Sequence, residues 1–209
     1  MEISFGPGGN GESWGRRKFP EQLPEYLSGL GLNGYEIECG RGVRLAEKTP
    51  ALLPGLAKEH GIYVTLHAPY FISLSSVEEE TRLKSVEYIF QSAQAAHSVG
   101  ARKIVVHSGS CSKMTREEAT ELAKDTLKKA QERLDSEGLS EIIICPETMG
   151  KVNQLGTLEE VLELCGVDER FLPTVDFGHL YARTPRNTLP RRLRKNAGSH
   201  CGQAWNRAP

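Results

Sequence analysis

"ARKIVVHSGS" (residues 101–110) sets a short strand-like run, Lys103 to Val106, directly before a histidine and three small residues. Ile104, Val105 and Val106 are apolar on consecutive positions, as a parallel strand covered on both faces requires. His107 falls where that strand ends and Ser108-Gly109-Ser110 opens a loop. The same arrangement recurs. "YVTLH" (63–67) ends in His67, "EIIICPE" (141–147) leads to Glu147, and "LPTVD" (172–176) ends in Asp176, with His179 three residues on. The triplet Asp176-Phe177-Gly178 has the form of the kinase metal-binding triplet, but no strand Val-Ala-Ile-Lys and no His-Arg-Asp loop precede it.

Six strands are expected, at Glu2–Phe5, Tyr35–Glu38, Tyr63–His67, Lys103–His107, Glu141–Cys145 and Leu172–Asp176, with centres roughly 30–40 residues apart. Helical patterns fill the gaps. Ser76-Val-Glu-Glu79, Thr115-Arg-Glu-Glu118 and Thr157-Leu-Glu-Glu160 have the capping-box form, a hydroxyl answered by Glu three residues on. Leu83, Val86, Phe90, Ala93 and His97 follow helical spacing behind the first box. Leu122, Ala123, Leu127, Ala130 and Leu134 do so behind the second, and Gly100 and Gly138 stop the two helices. Repeated units of this kind build a doubly wound sheet or a (β/α)8 barrel. About six units are present, so the expected fold is an incomplete (β/α)8 TIM-barrel type over residues 1–182.

Residues 183–209 have lost this periodicity. They carry six Arg, one Lys and no acid, a charge of +7, which leaves −8 on residues 1–182. They read as an irregular basic tail, with the composition of an out-of-frame end or of a basic arm. At 209 residues, with 38% apolar and 25% charged residues, the chain suits one sizeable globular core rather than a disordered segment. The five cysteines (39, 111, 145, 165 and 201) are odd in number and form no Cys-x-x-Cys, which argues for reduced thiols. The start "MEISFGPGGN" lacks a basic region followed by an apolar one, and no apolar run suits a bilayer span. The expectation is a cytoplasmic monomer without membrane contact.

In parallel β/α units the C-terminal ends of all strands point to one rim, where barrel enzymes gather their catalytic groups. Four successive strands therefore deliver His67, His107, Glu147 and Asp176 to one rim, with His179 beside them. One strand-end His is ordinarily structural, and one carboxylate before a helix ordinarily complements its N-terminus. Several carboxylates collected at one rim are costly unless a cation compensates them. The N and O donors without thiolate suit zinc, with manganese as the alternative. His60 and His97, on helices, read as structural, and Cys145 as a core residue.

"LHAPYFISLSS", "IVVHSGS", "CPETMGKVNQLGTLEEVLELC" and "PTVDFGHLYAR" together resemble the endonuclease IV family of abasic-site endonucleases. The resemblance implies a (β/α)8 barrel with up to three zinc ions that hydrolyses double-stranded DNA 5′ to abasic sites. It implies His67, His107 and Glu147 as ligands of a first zinc, and Glu147 as the catalytic group bridging to a second that Asp176 supports. His179 is implied as a ligand of a third. Tyr70 and Phe71 are implied to enter the distorted DNA stack, and Arg41 and Arg44 to meet phosphates. The family's later ligands, a His, an Asp-x-His pair and a Glu, have no counterpart here, so about one tightly held zinc and weak activity are expected. Two other readings follow from the same residues. One is a metal-dependent sugar isomerase or epimerase of the xylose isomerase-like barrels. The other is an inactive remnant that binds metal or DNA.

Overall fold

The computed structural model describes residues 3–183; the rest of the basic tail, residues 184–209, lies outside the described residues. Its elements are α1 (Leu23–Gly29), β1 (Gly34–Glu38), α2 (Lys48–His60), β2 (Tyr63–His67), α3 (Glu79–Ser98), β3 (Lys103–His107), α4 (Arg116–Ser136), β4 (Ile143–Glu147), α5 (Leu158–Cys165) and α6 (Phe177–Arg183). The four strands form one parallel sheet in the order β1-β2-β3-β4. This is an arc of consecutive β/α units, partial in extent.

Its outer face carries the core. Val64, Leu66, Ile104, Val106 and Ile144 are buried, and they join Ile89, Ala93 and Ala96 of α3 and Ala123 and Leu127 of α4 in one cluster. On the opposite face Glu36, Thr65, His67, Lys103 and His107 are half-buried, while Val105 and Cys145 are buried. The consecutive apolar run of β3 thus serves both faces, but the inner face as a whole is polar.

The two flanking strands of the six expected are corrected. Neither forms a ladder among the described residues: the bridge beside β1 falls at Gly8, beyond the expected Glu2–Phe5, and pairs it with Glu36, while Thr174 of the expected Leu172–Asp176 makes a single parallel bridge with Glu147. On the β1 side the chain still bonds, through Gly34 N–H to the Phe5 carbonyl (2.8 Å) and Glu36 N–H to that of Pro7 (3.0 Å). Pro7 has no N–H to return to the Gly34 carbonyl, so the ladder breaks there, and Gly9 N–H resumes it at the Glu36 carbonyl (2.9 Å). Gly6 passes so close that a Cβ there would lie 1.7 Å from the Gly34 carbonyl oxygen.

On the other side Thr174 N–H bonds the Pro146 carbonyl (2.8 Å) and Thr148 N–H bonds that of Thr174 (3.0 Å). Regular parallel spacing would next require a donor at Pro146 for the Leu172 carbonyl, and Pro146 has none. The strand expected at Glu141–Cys145 lies two residues later. Pro146 does not end it, because its missing donor faces this outer edge and Val106 pairs with it in register on the inner side.

Two of the three capping boxes form. Thr115 Oγ1 accepts from Glu118 N–H and Thr157 Oγ1 from Glu160 N–H, and each Glu returns a bond to its N-cap backbone. The third is corrected: α3 starts at Glu79, and Ser76 Oγ instead accepts from Glu78 N–H in a tight turn before it. Gly100 and Gly138, at φ of 76° and 73°, end α3 and α4 in the left-handed conformation that glycine adopts without cost. Leu83, expected on the buried stripe of α3, is 51% exposed. A 20-residue helix is about 30 Å long and its first turn outruns a five-residue strand of about 17 Å. His97 is exposed and pairs with Glu141 (2.7 Å), and His60 is exposed at the end of α2. Among the described residues no helix is long and apolar enough to cross a membrane.

Replacing an N-cap hydroxyl costs about 1 kcal/mol where the cap forms. Thr115→Ala and Thr157→Ala should each lower the urea-unfolding free energy by about that much. Ser76→Ala should cost less than half as much; an equal loss would mean that Ser76 caps α3 in solution.

Candidate metal centre

The ends of β2, β3 and β4 bring His67, His107 and Glu147 together because β3 and β4 pair in register, His107 opposite Glu147. Glu147 is 5% exposed, with Oε2 3.4 Å from His67 Nε2 and 3.2 Å from His107 Nε2. The two imidazoles stand edge to face, centroids 5.1 Å apart. His67 Nδ1 donates to the Ala68 carbonyl (2.9 Å), which leaves Nε2 facing the carboxylate. The other oxygen, Oε1, lies 3.5 Å from His179 Nδ1, and Asp176 Oδ2 lies 3.7 Å from the same nitrogen. Glu147 therefore belongs to two groups of potential ligands, with His67 and His107 on one side and Asp176 and His179 on the other, each within 4.8 Å mutually.

The donor set fits a cation. Oε2 of Glu147 is buried without a hydrogen-bond partner of good geometry, although two imidazole nitrogens face it. A buried charged oxygen left in that state is costly, and a divalent ion between the three groups removes the cost. Two imidazoles and a carboxylate, with a second carboxylate near, are ligands for zinc or manganese. The four cysteines among the described residues are free and belong to neither ligand group. Cys145 is buried in β4, and burial pushes its thiol up to about 12, so it reads as inert core.

The other residues singled out in the sequence lie on neighbouring loops. Tyr70 is 61% and Phe71 41% exposed; their rings are 5.8 Å apart, and Phe71 rests edge-on against Tyr88 of α3 at 4.7 Å. Arg41 and Arg44 are exposed on the loop after β1, which Tyr70 adjoins through its N–H to the Gly40 carbonyl (3.2 Å). These four flank the centre and are not among its ligand groups.

Several supporting residues escaped the sequence reading. Ser108 Oγ donates to the Glu147 carbonyl (3.0 Å). The loop after Glu147 is held by Arg116, bonded to the Val152 and Gln154 carbonyls (3.1 Å each) and paired with Glu160, and by Arg183, bonded to the Met149 carbonyl (2.8 Å). Glu160 was visible as the acid of a capping box; Arg116 and Arg183 reach the loop from other units and left no local signal.

In the metal-free centre burial opposes charge on both partners, but their mutual attraction wins. His67, facing the Glu147 carboxylate and bonded to the Ala68 carbonyl, is pushed up to about 9, and Glu147 is held down to about 2 by the facing His107 and His67. A raised imidazole stabilises the fold fully below its ordinary 6.5, and that contribution is lost as pH rises through about 9. A lowered carboxylate contributes above 4.5, and its contribution is lost as pH falls through about 2. The chelated protein should therefore lose thermal stability between pH 6.5 and 9, and His67→Gln should flatten that decline. Zinc must displace the Nε2 proton, so its apparent affinity should rise about tenfold per pH unit across the same range. A pH-independent affinity by competition with a chromogenic chelator would contradict this.

Comparison with known proteins places the arrangement. A family model described as xylose isomerase-like TIM barrel matches residues 24–203. An uncharacterized protein of Methanocaldococcus jannaschii is 32% identical over 162 residues, 77% of this chain and 57% of its own length. The probable endonuclease 4 of Acholeplasma laidlawii is 34% identical over 58% of this chain and 42% of its own. The chain thus spans about half the length of these relatives. The crystal structure of endonuclease IV from Thermus thermophilus superposes with a TM-score of 0.61 at 25% identity, covering 77% of this chain and 58% of that one. A D-tagatose 3-epimerase-like protein superposes equally well at 24% identity, a likeness of fold alone. With the parallel β/α arc and its rim of ligands, these matches show that the chain belongs to the xylose isomerase-like TIM barrel family.

Proposed function

We propose that the chain carries the first part of the metal centre of an endonuclease IV-like enzyme, one that hydrolyses the phosphodiester 5′ to an abasic site in double-stranded DNA. One observation carries this reading. A single buried carboxylate, Glu147, turns one oxygen to a His pair and the other to the His179–Asp176 side, as a bridge between two cation positions does. Paired metals a few ångströms apart suit phosphodiester displacement, in which charge develops on both the attacking and the leaving oxygen. Zinc, when bound there, supplies Lewis-acid stabilisation of that charge.

The chain's own residues do the rest. His67 and His107 hold the first position, with the Ala68 carbonyl fixing the proton of His67 on Nδ1. Asp176 extends the centre, and His179 extends it further through Nε2, since its Nδ1 donates to the Thr148 carbonyl (2.8 Å). Tyr70 and Phe71 offer aromatic faces to unstacked bases, and Arg41 and Arg44 offer exposed charge to phosphates. A second reading, a sugar isomerase or epimerase, is favoured by the epimerase fold likeness and by the polar inner face of Glu36 and Thr65, bonded at 2.7 Å, beneath the rim.

A duplex with one tetrahydrofuran abasic analogue separates the readings. The zinc-loaded chain should incise it slowly on the 5′ side, with activity lost to chelator and lowered about 100-fold or more by Glu147→Gln. Tyr70→Ala should weaken duplex binding by about 1–3 kcal/mol and leave zinc affinity unchanged. Zinc-dependent interconversion of ketoses without incision would move the assignment to the second reading. Elemental analysis after dialysis should find about one zinc, at the His67–His107–Glu147 position.

A further inference from the structure

One residue outside both ligand groups bonds two members of the second, the backbone of Asp176 and the ring of His179. Thr148 follows Glu147 at the end of β4 and is wholly buried. Its N–H donates to the Thr174 carbonyl (3.0 Å). Its Oγ1 accepts from Asp176 N–H (2.9 Å) and donates to the Asp176 carbonyl (3.3 Å), using the acceptor and donor capacity of one hydroxyl together. Its carbonyl lies 2.8 Å from His179 Nδ1. A carbonyl only accepts, so Nδ1 carries the proton and the lone pair of His179 sits on Nε2.

Asp176 in turn caps the turn beyond it, Oδ1 accepting from His179 N–H (2.8 Å). Gly150 completes the seat, because a Cβ there would lie 3.1 Å from His179 Cδ2 and 3.4 Å from its Cα. Segment 172–176 makes only a single bridge to the sheet, so regular pairing does not hold Asp176 in place. The threonine hydroxyl supplies the missing constraint.

We propose that Thr148 is a positioning residue that couples the two halves of the centre: through its hydroxyl it sets Asp176 opposite Glu147, and through its carbonyl it sets the tautomer of His179. The second cation position then depends on the Thr148 side chain, while the His67–His107–Glu147 position does not. This rests on the metal-centre reading above.

The test is a cobalt(II) titration of the full chain followed by visible absorption, with 15N NMR of the His179 ring in the metal-free protein. Wild type should bind a tight first equivalent and a weaker second, with His179 protonated on Nδ1. Thr148→Val, close in volume but without the hydroxyl, should weaken the second equivalent about 10–100-fold and move the first less than about twofold. Thr148→Ser should restore the second, and circular dichroism of each metal-free variant reports folding. Should the valine variant not fold, Gly150→Ala carries the test: it keeps every hydrogen-bonding group but displaces His179, so the Nδ1 proton signal should shift while the first equivalent stays tight. Equal weakening of both equivalents, a serine variant no better than valine, a wild type with a single equivalent, or His179 protonated on Nε2 would each overturn the proposal. Failure of wild type to bind any cobalt would overturn the metal-centre reading as well, which distinguishes the two.

Discussion

Glu147 is a negative charge placed where water scarcely reaches, and the surrounding structure is arranged around that fact. An isolated buried carboxylate would cost several kcal/mol and ordinarily neutralise itself by taking a proton. Here two imidazoles from successive strands face it and hold it ionised, and β3 and β4 must pair in register for His107 to stand opposite it. The compensation is incomplete, since Oε2 lacks a well-aligned donor. That residual deficit is one that a cation held between these groups would remove.

The remaining supports follow outward from this carboxylate. Ser108 and Thr148 fix the backbone on either side of the β4 end. Arg116 and Arg183 then hold the loop that leaves it, and the Arg116–Glu160 pair ties that loop to the start of α5. Such layering is general in metal centres: ligands hold their places only when their own surroundings leave them no other conformation. The chain spans about half the length of the curated relatives it matches, and its described residues bring together two three-residue groups of potential ligands that share Glu147.

Local chemistry made much of this legible from residues alone. Strands β1 to β3 fall where β-rich runs end in turn-forming residues, because the covered faces demand apolar side chains and the loops demand small ones. Two capping boxes read correctly because a hydroxyl and a Glu three residues apart close their bonds within one helical turn. The rim position of His67, His107, Glu147 and Asp176 also follows from topology, since parallel β/α units present all their strand ends to one side. That logic needs only order and periodicity.

What depended on neighbours distant in sequence could be decided only by the tertiary structure. Ser76 has a capping-box pattern, but α3 begins three residues later. Pro146 lies within a strand rather than ending it, because its missing N–H faces an edge where no regular ladder forms. The flanking runs form no regular ladder because a parallel ladder needs a donor at each step, and Pro7 and Pro146 supply none. Arg116, Arg183 and Thr148 act through bonds spanning 28–44 residues, which no local pattern records. Side-chain type and spacing thus determined which groups this protein brings to one rim. The packing of separate units decided which oxygen of Glu147 faces which imidazole and which nitrogen of His179 is free, because hydrogen-bond geometry is set in three dimensions.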